Sequence, residues 1–260
     1  MKGLAVIATP RGNGNSEIAA KIILDAAGFE EKAIINLYDL SIKPCTACYK
    51  CLFQKGCTID DDLVWALEKI DEADGLAFIS NTYFMGINGM WKLFSDRMLL
   101  LNQYKNIKGT PSVLIGVSGI KGWEGLTLSS LAALSFTMEL DVRAKADLIA
   151  TLPGEIENQK EHLIKIGKIL SGEIQKEPDG EEFCSFCGSN CFKMSNGKAV
   201  CAICGKPIKE GEPVIKSSWS AHGDWLRKKK NEFLARRKEL LRIHNRYSKL
   251  KYKIKPYRGD

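Results

Sequence analysis

With 260 residues, 45% of them hydrophobic, the chain can bury one sizeable α/β core and a small appendage. No apolar run reaches the ~18 residues that a membrane span requires. The formal net charge of +7 is unevenly spread: residues 1–180 carry 19 Lys and Arg against 23 Asp and Glu, a net of −4, and residues 181–260 carry 19 against 8, a net of +11. The basic character therefore belongs to the C-terminal part and excludes no acidic partner there. Met1-Lys2-Gly3-Leu4 runs straight into Ala5-Val6-Ile7-Ala8, a buried strand rather than a targeting segment, so a soluble cytoplasmic protein is expected.

Lys2–Ala8 is nearly continuously apolar, as a parallel strand covered on both faces must be. Thr9-Pro10-Arg11-Gly12-Asn13-Gly14-Asn15-Ser16 follows, then a helical pattern through Ile18, Ala19, Ile22, Ile23 and Ala26. A strand, a loop rich in Gly, Asn and hydroxyls, and a helix start together present backbone N–H groups to an anion. Thr9, Asn15 and Ser16 add side-chain donors and Arg11 adds charge. The same stretch also reads as an ordinary strand–helix loop with a Ser cap. It is neither G-x-x-x-x-G-K-[ST] nor G-x-G-x-x-G, so neither a nucleoside triphosphate nor a dinucleotide is indicated.

After a second strand, Ala33–Tyr38, four of the nine cysteines fall within Pro44–Cys57 as C-x2-C-x2-C-x5-C: Cys45, Cys48, Cys51 and Cys57. A cubane cluster needs four thiolates converging on one small body, and three in a single tight run suit it. Zinc sites more often come as two separate C-x2-C knuckles. A disulfide framework is not expected without a secretory signal.

Asp60-Asp61-Asp62 places carboxylates at the start of a helix through Leu63, Leu67 and Ile70. Gly75–Ser80 is a third strand, emptying into Asn81–Gly89. A helix then carries Met90, Trp91, Phe94, Met98 and Leu101. Ser112–Val117 is a fourth strand, with Ser118–Gly125 beyond it and a helix to about Leu140. Val142–Ala150 is a fifth strand and Glu157–Leu170 a closing helix. Strands alternating with helices predict a flavodoxin-like, doubly wound five-stranded parallel sheet. Ligands of such sheets sit beyond the carboxyl ends of the strands. Three loops leave those ends: one suits a phosphate, one offers Tyr83 and Phe84, and one is rich in Gly. Together they describe a flavin mononucleotide (FMN) site, although each aromatic alone also suits packing under a loop.

Thr9-Pro10-Arg11 through Asn15-Ser16, then Tyr83-Phe84 with Lys92, Phe94 and Asp96-Arg97, resemble the flavodoxin-like flavin reductase superfamily. The cysteine loop at 44–58 narrows the resemblance to the iron–sulfur flavoproteins, over about residues 1–172. The resemblance implies FMN and a 4Fe-4S cluster in each subunit of a homodimer or homotetramer, with ferredoxin or a similar acidic carrier as donor and a small-molecule acceptor. It assigns the phosphate to Thr9, Arg11, Asn13, Asn15 and Ser16. The ring and ribityl chain fall to Thr82, Tyr83, Phe84, Met85, Ser118, Gly119 and Gly122, and the cluster to Cys45, Cys48, Cys51 and Cys57. Asp96 and Arg97 are expected to stabilise their helix. Asn81 departs from the family, where Pro is frequent. No catalytic side chain is indicated: His162, His222 and His244 all lie outside these loops.

Residues 173–182 read as a polar linker. Cys184-Ser185-Phe186-Cys187-Gly188 and Cys201-Ala202-Ile203-Cys204-Gly205 are two C-x2-C-G knuckles within residues 183–216, and a zinc ribbon held by Cys184, Cys187, Cys201 and Cys204 is expected. Iron remains open as the metal, and Cys191 is left over. Residues 217–260 form a basic tail. Leu226, Phe233, Leu240 and Tyr247 recur every seven residues, with Leu234, Leu241, Ile243 and Leu250 beside them. Such a helix packs on the main domain or a neighbouring subunit, docks an acidic ferredoxin, or binds nucleic acid. Taken together, an iron–sulfur flavoprotein relaying electrons is expected. The alternatives are a nicotinamide-dependent FMN or quinone reductase and a redox-responsive nucleic-acid-binding protein.

Overall fold

The computed structural model describes residues 1–104, 106–176, 183–195, 197–207, 235–236, 238–243, 245–250, 252 and 254, apart from the side chains of Leu52 and Asn102. The central strands are β1 (Lys2–Ala8), β2 (Glu31–Asn36), β3 (Gly75–Tyr83), β5 (Pro111–Ser118) and β6 (Asp141–Ile149), all parallel, in the order β2-β1-β3-β5-β6. This is the flavodoxin-like strand order, and it puts the switch point between β1 and β3. A two-residue strand, β4 (Gly86–Ile87), pairs antiparallel with the end of β3.

Alternation along each strand divides the core in two. Leu4, Val6 and Ala8 pack with α2 (Leu63–Asp71), α3 (Gly89–Ser95) and α4 (Thr127–Thr137) on one face. Ala5 and Ile7 pack with α1 (Asn15–Ala26) and α5 (Lys160–Ser171) on the other. Two expected helices differ at their ends. The one expected through Leu101 stops at Ser95 and resumes as a 3-10 segment, Met98–Gln103. The break turns Arg97 and Gln103 toward the cysteine loop. The closing helix begins as a 3-10 segment, Glu155–Gln159, after Gly154 in the left-handed region at φ 84°.

The C-terminal third returns to this domain. β7 (Phe192–Ser195) and β8 (Lys198–Cys201) form a hairpin. It stands against α4 and β6: Ser129 hydrogen-bonds Asn190, Phe136 meets Phe186 at 5.5 Å between centroids, and Lys145 lies 4.4 Å over the Phe183 ring. Residues 238–243 and 245–248 are helical, and Ile243 and Tyr247 join the α1/α5 core. At the outer edge of β2 the Tyr252 carbonyl accepts from Ile34 N–H at 2.7 Å, and Ile254 N–H donates to the Ile34 carbonyl at 3.0 Å. That strand edge is thereby paired rather than left open. Leu226, Phe233 and Leu234, the other expected members of the apolar stripe, lie outside the described residues, as do residues 177–182 of the linker expected over 173–182. No helix among the described residues is long and apolar enough to cross a membrane.

One strand carboxylate is held against its charge. A Cβ at Gly116 would lie 2.1 Å from Asp147 Oδ1, so the bare backbone of β5 makes room for this side chain. Burial first, and Glu124 second, push the Asp147 carboxyl up to about 6 from 3.8, and its buried Oδ1 has no partner. Below pH 3.8 Asp147 is protonated in both folded and unfolded chains and costs nothing. As pH rises from there through about 6, the unfolded chain gives up the proton first and the folded state loses stability. Asp147→Asn is expected to stabilise the chain by about 2 kcal/mol at pH 7.5 and by almost nothing at pH 4, read from urea unfolding at the two pH values.

Candidate functional site

A cavity of about 360 Å³ opens at the carboxyl ends of β1, β3 and β5, within the range of small-ligand sites. Thr9, Arg11, Asn13, Asn15, Thr82, Tyr83 and Gly119 line it, as expected from the sequence. Ser16, Phe84, Met85, Ser118 and Gly122 stand outside the lining. The loop after β1 enters α1 through Gly14, and the first intrahelical bond runs from Ile18 N–H to the Gly14 carbonyl at 3.0 Å. The N–H groups of the first turn before it therefore face the cavity end without helical partners, which is the geometry that receives a phosphate. Arg11 is exposed at the rim and supplies the nearby charge.

Several expected ligand side chains instead build the walls. The Asn15 amide donates to the Ala150 and Leu152 carbonyls, both at 3.0 Å, and its Oδ1 accepts from Gly154 N–H at 3.0 Å and Ile156 N–H at 3.4 Å. That uses its side chain on the loop after β6 and leaves its backbone N–H for an anion. Ser16, 1% exposed, donates to Asn81 Oδ1. Asn81 thus has its own role: it ties the loop after β3 to the start of α1. Asn13 N–H donates to Glu17 at 2.9 Å. Thr82 and Thr127 hydroxyls meet at 2.8 Å. Ser118 closes a turn onto Ile120, and Gly122 N–H donates to Glu124 at 2.9 Å.

The ring-side loops lock together. Phe84 and Met85 both adopt left-handed φ, 48° and 63°, in the two-residue turn between β3 and β4, a turn that usually takes Asn or Gly. The strain is held from outside: the Met85 carbonyl accepts from Leu126 N–H at 2.8 Å, and Gly125 packs directly against that carbonyl. Phe84 is 92% exposed as a result.

Sequence reasoning missed the far wall. Pro153, Thr151 and Ala150 border the cavity from the loop after β6, and Leu240 and Leu241 border it from the tail. The tail is seated by Lys21. This side chain is 1% exposed, and its three ammonium protons are matched by Glu17 Oε1 at 2.9 Å, Asn13 Oδ1 at 3.2 Å and the Tyr247 carbonyl at 2.6 Å. One buried cation therefore joins the loop after β1, α1 and the tail. The available signal was a Glu17–Lys21 pair at i,i+4 on an otherwise apolar helix face.

The cysteine loop is folded tightly by left-handed residues at Ala47, Tyr49 and Gly56. Ala47 N–H points at Cys45 Sγ at 3.4 Å and Ile59 N–H at Cys57 Sγ at 3.5 Å, and Cys48 Sγ lies 3.8 Å from the Thr58 hydroxyl. Such donors stabilise thiolates: the backbone at Lys50, then Thr58 and Thr46, hold the Cys48 thiol below its ordinary range. Gln103 clamps the loop from the 3-10 segment, accepting from Gly56 N–H at 2.5 Å and donating to the Cys51 and Gln54 carbonyls at 2.9 and 3.1 Å. The acidic triplet does more than begin α2. Asp62 accepts from Ser41 N–H at 2.6 Å, and Asp61 accepts from Lys43 N–H at 2.8 Å and pairs with Arg97. All four cysteines border a small cavity of about 30 Å³ with Arg97. They share this cavity but are not drawn to the mutual spacing within 4.8 Å that the ribbon cysteines show.

The ribbon cysteines are arranged differently. Cys184, Cys187, Cys201 and Cys204 are the group among the described residues whose ligand atoms all lie within 4.8 Å of one another. The 184–204 and 187–201 sulfurs are each 3.5 Å apart, close to the ~3.8 Å edge of a tetrahedron of metal–sulfur bonds. Gly188 and Gly205, both left-handed, turn the two knuckles. Cys191 stays outside, its carbonyl accepting from Ala202 N–H at 2.9 Å. Because three of these sulfurs are buried at the hairpin base, stripping the metal with a strong chelator is expected to unfold the hairpin and free all four thiols. Thiol titration before and after chelation checks this; four unreactive thiols afterwards would contradict it.

A mononucleotide-sized cavity at the carboxyl edge of a sheet in this order, with an anion-receiving helix start at one end, defines a flavodoxin-like protein. Residues 1–145 match the family model for NADPH-dependent FMN reductase, and the chain belongs to that family, grouping within it with the iron–sulfur flavoproteins. It is 33% identical over 129 residues to an iron–sulfur flavoprotein of Methanocaldococcus jannaschii, covering 48% of this chain and 66% of that protein. It is 30% identical to the iron–sulfur flavoprotein of Methanosarcina thermophila over 50% of this chain and 71% of the relative, and 30% identical to one of Archaeoglobus fulgidus over 42% and 50%. The chain thus spans about half to seven-tenths of these relatives. Among solved structures, a flavone reductase shares the fold over 99% of this chain and all of its own, at TM-score 0.63 and 19% identity. RosB, solved with a flavin-derived intermediate, shares it over 66% and 78%, at TM-score 0.52 and 14% identity.

Proposed function

We infer that the chain is an iron–sulfur flavoprotein, an FMN-dependent oxidoreductase in which the cavity above β1 and β3 holds FMN and Cys45, Cys48, Cys51 and Cys57 hold a 4Fe-4S cluster. The observation that carries the reading is the pairing of two built sites on one domain: the mononucleotide cavity, and a clamped loop whose thiols receive backbone donors. When bound, FMN exchanges two electrons and the cluster one, so together they couple one-electron carriers to two-electron acceptors. The residues do the rest. The first turn of α1 with Arg11 receives the phosphate, Tyr83 and Gly119 border the flavin body, and Leu240 and Leu241 exclude water on the far side. No side chain of this cavity is assigned a proton-transfer role.

Ferredoxin or another acidic carrier is the proposed donor and a small molecule the acceptor. A homodimer or homotetramer suits the exposed apolar groups around the cysteine loop, Phe53 at 89% and Leu99 at 47%, together with Phe84. The ribbon is read as a structural zinc site. Nine cysteines, eight of them assigned to two metal centres, suit the reducing cytoplasm. Docking of Leu240, Ile243 and Tyr247 on the domain supports a packing role for the tail over nucleic-acid binding.

The match to the NADPH-dependent FMN reductase family favours one second reading, direct reduction of the flavin by a nicotinamide. Anaerobic mixing separates the two. A reduced ferredoxin-type donor is expected to bleach the flavin, and Cys48→Ser is expected to slow that at least tenfold while dithionite still reduces the FMN. Rapid bleaching by NADPH, unchanged in Cys48→Ser, with no response to the one-electron donor, would select the nicotinamide reading.

A further inference from the structure

Arg97 was expected to serve its own helix, and it does not. α3 ends at Ser95, and the chain turns through Arg97 so that its side chain, 1% exposed, enters the cavity shared by the four loop cysteines. Nη1 is satisfied by Asp61, itself 0% exposed in its side chain, and by the Lys43 carbonyl at 3.3 Å. Nε and Nη2 are buried and have no hydrogen-bond partner. Cys57 borders the same small cavity as Arg97; burial lowers the Arg97 pKa, and Asp61 first and Cys57 second raise it above its ordinary value. Two dry, unpartnered donors on a permanent cation are costly unless an acceptor meets them. Asp61 meets the guanidinium through Nη1; its Oδ2 also accepts from Lys43 N–H and its Oδ1 from Leu63 N–H.

We propose that Arg97 sets the reduction potential of the cysteine-loop centre by donating from Nε and Nη2 to Cys57 Sγ and to the sulfur beside it. This rests on the reading that the loop binds a cluster. Uptake of one electron adds one negative charge to the centre, and no proton moves, because a guanidinium keeps its proton. A donor fork and a fixed positive charge at the sulfurs favour the more negative, reduced form, and hydrogen bonds and net charge are among the determinants of cluster potential. Lys in its place would keep the charge and lose the fork. Arg97 is thus a positioning and tuning residue and takes no electrons itself.

The test uses the full chain, purified without air. With 15N-labelled arginine, pulsed electron paramagnetic resonance of the reduced cluster is expected to show a nitrogen coupling in the wild type that vanishes in Arg97→Lys. The double variant Arg97→Met with Asp61→Asn removes both buried charges together. Its cluster midpoint is expected to fall enough to change the oxidised-to-reduced ratio at least tenfold at the wild-type midpoint, which is 59 mV for one electron. No arginine coupling in a wild type that contains stoichiometric iron and sulfide would overturn the proposal. So would an unmoved midpoint in a double variant that retains its cluster. If the double variant fails to fold, the wild-type coupling decides alone. A wild type with neither iron nor sulfide removes the cluster reading itself, and the role of Arg97 with it.

Discussion

Lys21→Met is expected to destabilise the folded chain by roughly 3–5 kcal/mol, the cost of breaking a buried ion pair by removing one partner. All three ammonium protons are used, and no water reaches them: Lys21 and Glu17 are 1% and 2% exposed. Removing the cation leaves the Glu17 carboxylate buried without it. It also frees the Tyr247 carbonyl near the end of the tail helix, where a cation is favoured by the helix dipole as well. Combining Glu17→Gln with Lys21→Met is expected to recover more than half of the loss, because the uncompensated charge goes with it. Urea unfolding of the wild type, Lys21→Met, Glu17→Gln and the double variant measures the cycle. FMN should also dissociate at least tenfold faster from Lys21→Met, since Asn13 in the loop after β1 and Leu240 in the cavity wall lose the same anchor. A single variant as stable as wild type would show that the tail is not seated by this contact.

Gly125→Ala is the second large effect. A Cβ there would lie 2.2 Å from the Met85 carbonyl oxygen and 2.6 Å from its carbon, and both are backbone atoms of a strained turn. The residue also holds φ at 55°, where an L side chain is disfavoured by about 1–2 kcal/mol. Forcing the methyl in costs a further 1–3 kcal/mol by overpacking, so roughly 2–5 kcal/mol in all. Because the Leu126–Met85 hydrogen bond holds the loop after β5 to the turn after β3, the flavin site should suffer with it. FMN affinity, read by quenching of flavin fluorescence on titration of apoprotein, is expected to fall at least tenfold. Gly86→Ala, which meets nothing within 4 Å, is the control expected to leave both quantities nearly unchanged.

The central sheet was legible in the sequence because a parallel strand buried on both faces is a short, nearly continuous apolar run between helical patterns: in Lys2–Ala8, Leu4, Val6 and Ala8 go to one face, Ala5 and Ile7 to the other. The two cysteine groups were legible because ligand spacing is written in the chain. Other features depend on partners far apart in sequence. Lys21 finds its carbonyl 226 residues away, Asn15 finds its loop 135 or more residues away, and Arg97 finds Asp61 36 residues away. None of these partners leaves a periodic signal, so Asn15 and Ser16 read as ligand donors when their side chains in fact fasten loops. The tail's apolar stripe was visible, but its target was not, and Leu240 and Leu241 bordering the cavity could not be inferred from spacing alone.

Quantitative iron, acid-labile sulfide, zinc and flavin analysis of one anaerobic preparation tests the account most directly. It predicts one FMN, about four iron with about four sulfide, and one further metal per chain. Yellow protein carrying FMN with neither sulfide nor stoichiometric iron would contradict it.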